Sequence, residues 1–312
     1  MAPPDASTVL LDGAWTHRMV AAGGVRFHVA ELGDGPLVLL LHGFPEFWWA
    51  WRHQLIALAD AGYRAVAMDL RGYGASDKPP RGYDPFTMSA DVTNVIRALG
   101  EPDAALVGHG WGGFLGWTAA VLQPRLVRRL TVLSMPHPRR LRAALIGDPE
   151  QILASSHVLG FQAPWLPERR LTADHGALVE RLLRAWAAPG WPDAESAARY
   201  REAIAIPGVA HCALEYHRWA VRSIPRPDGL RFARRMKAPV RVPVLHLHGG
   251  RDTAMLAASA AGSGRHVEAP YHWQVLAACG HFPHEEDPPG VNELLLPFLA
   301  GSPQGPGSPQ GH

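Results

Sequence analysis

Short apolar runs alternate with stretches of helical spacing through the first 135 residues. Residues 25–32 read as a strand, and residues 36–41 as a continuous apolar run of the kind buried in a sheet with both faces covered. Residues 49–61 carry helical periodicity, with Leu55, Ile56, Leu58 and Ala59 as the expected inner stripe. The alternation continues with strands at 65–68, 104–107 and 130–133 and helices at 88–99 and 114–122. Repeated βα units predict an α/β fold, with a mostly parallel sheet flanked by helices and right-handed crossovers.

The rhythm breaks at about residue 136. From there to 239 the chain is rich in Ala, Arg, Leu and Trp at helical spacing, cut by Pro-containing loops and lacking a strong strand signal. Strand signals return at 242–247 and 273–277, and a helix closes the pattern near 291–299. The division expected is a first core segment (1–135), an inserted all-helical cap or lid (136–239) and a second core segment (240–300). Residues 301–312 form a Gly/Pro/Ser repeat that has no apolar surface to bury and are expected to be a disordered tail.

Composition narrows the class of protein. A net charge of +2 over 312 residues, with Arg scattered rather than striped, gives no footprint for nucleic acid or anionic lipid. No apolar stretch reaches the ~18 to 20 residues of a membrane helix, and the N-terminus lacks the basic-then-apolar order of a signal peptide. Cys212 and Cys279 make neither a disulfide framework nor a zinc-site spacing and read as buried thiols. The expectation is a cytoplasmic protein without cofactor or metal, with a homodimer left open.

Three places where chemistry could gather fall at the carboxyl ends of expected strands, where open α/β sheets bind ligands. They are His42-Gly43-Phe44-Pro45, the elbow Val107-Gly108-His109-Gly110-Trp111-Gly112-Gly113, and Gly249-Gly250-Arg251-Asp252 followed by Gly280-His281-Phe282. The elbow has the small residues of a sharp strand-to-helix turn, but the position that would carry a nucleophile is Gly110.

At these motifs the chain resembles the epoxide hydrolase and haloalkane dehalogenase branch of the α/β-hydrolase superfamily, and its epoxide hydrolases most. HGFPEFWWAWRHQ, DLRGYGASDKP, VGHGWGG, LSMPHP and GHFPHEEDP occur in the family's order, over about residues 24–299. In that family an elbow aspartate attacks the epoxide carbon, and a histidine paired with an acid then activates water to cleave the ester. The resemblance assigns histidine and acid to His281 and Asp252, and the oxyanion hole to the backbone amides of Phe44 and Trp111. The attacking carboxylate is missing.

The family's two lid tyrosines, which polarise the epoxide oxygen, are also changed. Their contexts here read Leu159-Gly160-Phe161-Gln162 and Glu215-Tyr216-His217-Arg218, leaving Gly160 and His217 at the tyrosine positions. Tyr216 is one step out of register, a turn of ~100° on a helix. Candidate pocket residues are His42, His109, Trp48, Phe161, Tyr216, His217 and Phe282.

Three functions fit. In the first, His281, oriented by Asp252, activates water directly against a small or medium hydrophobic molecule, using the water-sized space freed at Gly110. The second is a catalytically silent protein that binds a hydrophobic ligand in the same pocket. The third is non-hydrolytic acid-base chemistry on a natural product. Ser134 ends a strand without an elbow and is a poor substitute nucleophile.

Overall fold

The computed structural model describes residues 4–301, so all of the tail expected at 301–312 except Gly301 lies outside the described residues. Eight strands form one sheet: β1 (Thr16–Ala22), β2 (Val25–Leu32), β3 (Leu37–Leu41), β4 (Arg64–Met68), β5 (Ala104–His109), β6 (Val127–Leu133), β7 (Val244–Gly249) and β8 (Tyr271–Leu276). Their order is β1-β2-β4-β3-β5-β6-β7-β8. Every neighbouring pair from β4 across to β8 is parallel, and only β1–β2 and β2–β4 run antiparallel. The sheet is therefore mostly parallel, as an α/β fold requires.

Burial explains which strands the sequence announces. All five residues of β3 are buried, as are all six of β5 and of β7, because helices cover both faces of the sheet centre. Strand β1 gives no such signal: only Val20 and Ala22 are buried at this sheet edge, so its exposed Thr, Arg and Met positions hide it from periodicity.

Three helices pack around the first half of the sheet: α1 (Arg52–Asp60), α2 (Pro85–Ala98) and α3 (Trp111–Leu122). The inner stripe of α1 differs from expectation, since Ile56 is 44% exposed while Gln54, Leu55 and Leu58 are buried. Gln54 faces inward because its Nε2 donates to the carbonyl of His284, which turns position 56 outward. Helix α2 starts three residues earlier than its apolar pattern suggests. Asp84 caps it by accepting from the amides of Phe86 and Thr87, with Pro85 at the first position.

Between β6 and β7 the chain forms only helices: α4 (Pro138–Gly147), α5 (Pro149–Ala154), α6 (His157–Gly160), α7 (Leu166–Thr172), α8 (Ala177–Trp186), α9 (Ala194–Ala205), α10 (Val209–Arg222) and α11 (Pro227–Arg235). After β7 come α12 (Ala257–Ala260), α13 (Pro283–Glu286) and α14 (Pro288–Ala300). Residues of α4, α5, α6, α8 and α10 stand over the carboxyl ends of β5 and β6, enclosing a cavity with Gly110 and Met135 in its wall.

Candidate active site

The turn between β5 and α3 is built by close packing. Gly110 adopts φ 50°, ψ −119°, a left-handed conformation in which a side chain is strained. Gly112 lies so near the carbonyl of Leu41 that a Cβ there would clash with backbone, which keeps α3 tight against β3. At Gly110 itself there is room. A Cβ would stand 3.5 Å from Gly43 Cα and 3.9 Å from His281 Nε2, so the imidazole faces the elbow.

His281 is held from three sides. Its Nδ1–H donates to Asp252 Oδ2 at 2.7 Å, which leaves the Nε2 lone pair toward Gly110. Its amide donates to the carbonyl of Trp186 at the end of α8. Glu286 fixes the loop around it, accepting from the amides of Gly280, Phe282 and Ala188. Asp252 in turn receives the amides of Ala254 and Met255 on Oδ1. Burial pushes the Asp252 carboxyl up, but the facing imidazoles of His281 and His248 outweigh it and hold it below the ordinary carboxylate range.

Among the described residues, the amides of Phe44 and Trp111 donate to no protein acceptor, whereas their neighbours Glu46, Gly110 and Gly112 are engaged by the carbonyls of Gly43, Leu133 and His42. Two open N–H groups near the elbow, that of Phe44 in the loop after β3 and that of Trp111 at the start of α3, can receive developing negative charge.

The cavity has a volume of about 270 Å³. Phe44, Gly110, Trp111, His217 and His281 line it, together with an apolar wall that includes Met135, Leu145, Ile152, Val158, Leu159, Trp186 and Ile224. Two further imidazoles face the same space. His217 on α10 donates Nδ1–H to Ala213 O and accepts the indole N–H of Trp111 on Nε2 at 3.0 Å, so both nitrogens are engaged. His157 at the start of α6 donates Nδ1–H to Ala154 O and keeps Nε2 as an acceptor. Burial holds both neutral, with pKa values lowered to about 3 for His217 and about 4 for His157.

Several expected pocket residues lie elsewhere. His42 is fully buried behind the wall: Nδ1–H donates to Gly43 O, and Nε2 accepts the amide of Leu70. Trp48 packs on Trp15, His17 and His28, far to the side, with its indole on Val9 O. Tyr216 turns away from the cavity, as the one-residue helical step dictates, and its hydroxyl donates to Arg71 O at 2.8 Å. Phe161 backs the wall through edge contacts with Phe44 and His217. Phe282 is fully buried between His109, Trp191 and His281. Ser134 is buried and also outside the lining.

His109 serves as a strut. Its two ring nitrogens face only acceptors, Glu46 Oε2 at 2.7 Å and the carbonyl of His281 at 2.8 Å, so it carries both protons and stands as a buried imidazolium. Burial opposes this charge, but Glu46 raises the His109 pKa above the ordinary value. Glu46, His109 and His284 bring potential ligand atoms within 4.8 Å of one another, yet both carboxylate oxygens already accept from these rings and from the Gly43 amide.

Sequence reasoning missed His157, Ser155, Trp186 and Glu286. His157 stands one helical turn before Gly160, a spacing that could have drawn attention to it. Trp186 carries no comparable signal.

The sheet order, the helical segment between β6 and β7, and the elbow, acid and histidine after the ends of β5, β7 and β8 define an α/β-hydrolase. Residues 36–288 match the family described as alpha/beta hydrolase fold, and the chain belongs to that family. Within it the chain is epoxide-hydrolase-like. It is 35% identical to epoxide hydrolase 3 of Xenopus tropicalis over 88% of this chain and 75% of that protein. It is also 32% identical to the AB hydrolase superfamily protein YfhM of Bacillus subtilis, over 90% of this chain and 97% of the other. Among solved structures, an epoxide hydrolase from an endophytic Streptomyces superposes with a TM-score of 0.78 at 32% identity, covering 93% of this chain and 96% of that one. The epoxide hydrolase of Bacillus megaterium, solved in complex with an inhibitor, gives 0.81 at 28% identity, covering 91% of this chain and 100% of that one.

Proposed function

We propose that the protein hydrolyses a small to medium apolar molecule by general-base catalysis, without a covalent intermediate. The observation that carries this reading is the His281–Asp252 pair, whose Nδ1–Oδ2 bond of 2.7 Å leaves Nε2 open beside a Gly110 that has no side chain to attack with. A water at the elbow gives its proton to Nε2 as its oxygen attacks, and the Phe44 and Trp111 amides hold the charge that develops. Residues 136–239 act as a cap, and the apolar wall that α4, α5, α6, α8 and α10 supply selects an uncharged substrate. Cys212 and Cys279, both buried free thiols, suit a reducing cytoplasm, and among the described residues no helix is long and apolar enough to cross a membrane.

The test is turnover of a panel of apolar epoxides and esters by the wild type and His281→Ala, with intact-protein mass measured during a single turnover in H₂¹⁸O. Expected are a loss of about 10²- to 10⁴-fold in the variant, label in the product and an unchanged protein mass. A covalent adduct, or turnover that survives His281→Ala, overturns the reading. Ligand-raised stability without turnover would favour a binding protein.

A further inference from the structure

An oxygen that gathers charge during hydrolysis can be met in two ways. Epoxide opening breaks the ring C–O bond in the same step as water attacks from the opposite side of the carbon, so a site for it needs a second group, besides the base, able to deliver a proton to the alkoxide near neutral pH. A carbonyl oxygen only holds its charge until the tetrahedral intermediate collapses, so fixed donors such as backbone amides suffice.

The cavity has the second set of groups and lacks the first. None of its lining residues is Tyr, Cys, Lys, Arg, Asp or Glu. His217 has both ring nitrogens engaged, and the Trp111 indole that could have donated into the cavity is directed to it. His157 has its one ring proton on Ala154 O and presents a lone pair. Burial keeps both rings neutral, so neither has a proton to spare at neutral pH. Ser155 offers an alcohol, far less acidic than a phenol, with its oxygen accepting from Gln151 at 2.8 Å. The open amides of Phe44, in the loop after β3, and Trp111, at the start of α3, remain, and both residues line the cavity with His281.

Resting on the general-base reading above, we infer that the electrophile is a carbonyl, in an apolar ester or lactone, rather than an epoxide. Water oxygen bonds to the acyl carbon while Nε2 of His281 takes one water proton, and the carbonyl π electrons move to an oxyanion held by the two amides. The oxyanion then reforms C=O as the acyl C–O bond breaks. The imidazolium returns its proton to the departing alkoxide, giving an alcohol and a carboxylic acid, and no further reactant is required.

The test compares the wild type with His281→Ala, and with His281→Gln where the alanine variant fails to fold. Substrates are p-nitrophenyl butyrate, a medium-ring lactone, styrene oxide and phenyl glycidyl ether. Expected is hydrolysis of the ester and lactone at least ~10²-fold above the His281 variants, with epoxides opened no faster than by those variants. Epoxide opening that requires His281 and outpaces ester hydrolysis overturns the carbonyl assignment and leaves the general-base reading standing. Hydrolysis of neither class, or ester hydrolysis unchanged in the His281 variants, overturns both.

Discussion

The indole N–H of Trp111 donates to Nε2 of His217 across 3.0 Å, tying the first residue after the elbow to helix α10 of the insert. This one bond fixes the His217 tautomer, closes the cavity at its roof and removes two groups that could otherwise address a substrate. It spans 106 positions of sequence, and much of the site's chemistry follows from it.

Trp111→Phe keeps an aromatic ring and deletes the donor. His217 Nε2 is then left as a buried acceptor without a partner, which costs about 1 to 3 kcal/mol. Urea unfolding should show that loss, and His217→Phe in the same background should recover part of it. Equal stability of Trp111→Phe and the wild type would show that the bond contributes little.

Asp252→Asn preserves shape while removing the charge that orients His281. Because Oδ1 holds two amides and Oδ2 holds His281 Nδ1–H, the variant should fold with a lower midpoint. Turnover should fall at least ~10²-fold, through kcat more than KM. A change confined to KM would place Asp252 in binding instead.

Gly110→Asp tests how much of an ester-forming site survives. The new Cβ has room beside Gly43 and His281, but the left-handed backbone makes it strained, by about 1 to 3 kcal/mol. Incubated with an epoxide, it should give a slow mass adduct. Gly110→Asp/Gly160→Tyr/His217→Tyr should react ~10²- to 10⁴-fold faster if tyrosines at those positions supply the proton. Equal rates for the two variants would show that the cap positions do not govern ring opening.

Stability should fall as pH drops below about 6.5. Burial depresses the folded-state pKa of His137 and His217 to about 3 and of His157 and His284 to about 4. Below the unfolded value of 6.5 the unfolded chain takes up protons that these folded rings refuse, so each draws about 1.4 kcal/mol per pH unit from stability until its folded pKa is reached. Glu285, raised to about 7 chiefly by burial, works the other way over part of this window, but it is one group against four. His109, whose folded pKa is raised, adds stability at acid pH that is lost as pH rises through that value. Thermal midpoints from pH 8 to 5 in one buffer series test this. A flat profile would mean that the rings protonate without unfolding.

The sequence by itself determined the layered fold and the order of the site. Strands β3, β5 and β7 announce themselves because every residue is buried, so a continuous apolar run is forced on the chain. Gly110, Asp252 and His281 could be named from local context because an elbow and two strand-end loops each need particular small or polar residues at fixed offsets. Edge strand β1 was invisible because only two of its residues are buried, and half-exposed β8 was legible only over its last few positions. Tertiary structure alone decided which side chains reach the cavity. Tyr216 points to Arg71 while its neighbour His217 faces the elbow, and His157 joins the wall without any motif. Rotation about a helix axis and contact between segments far apart in the chain set those outcomes, and neither is encoded in a local pattern of residues.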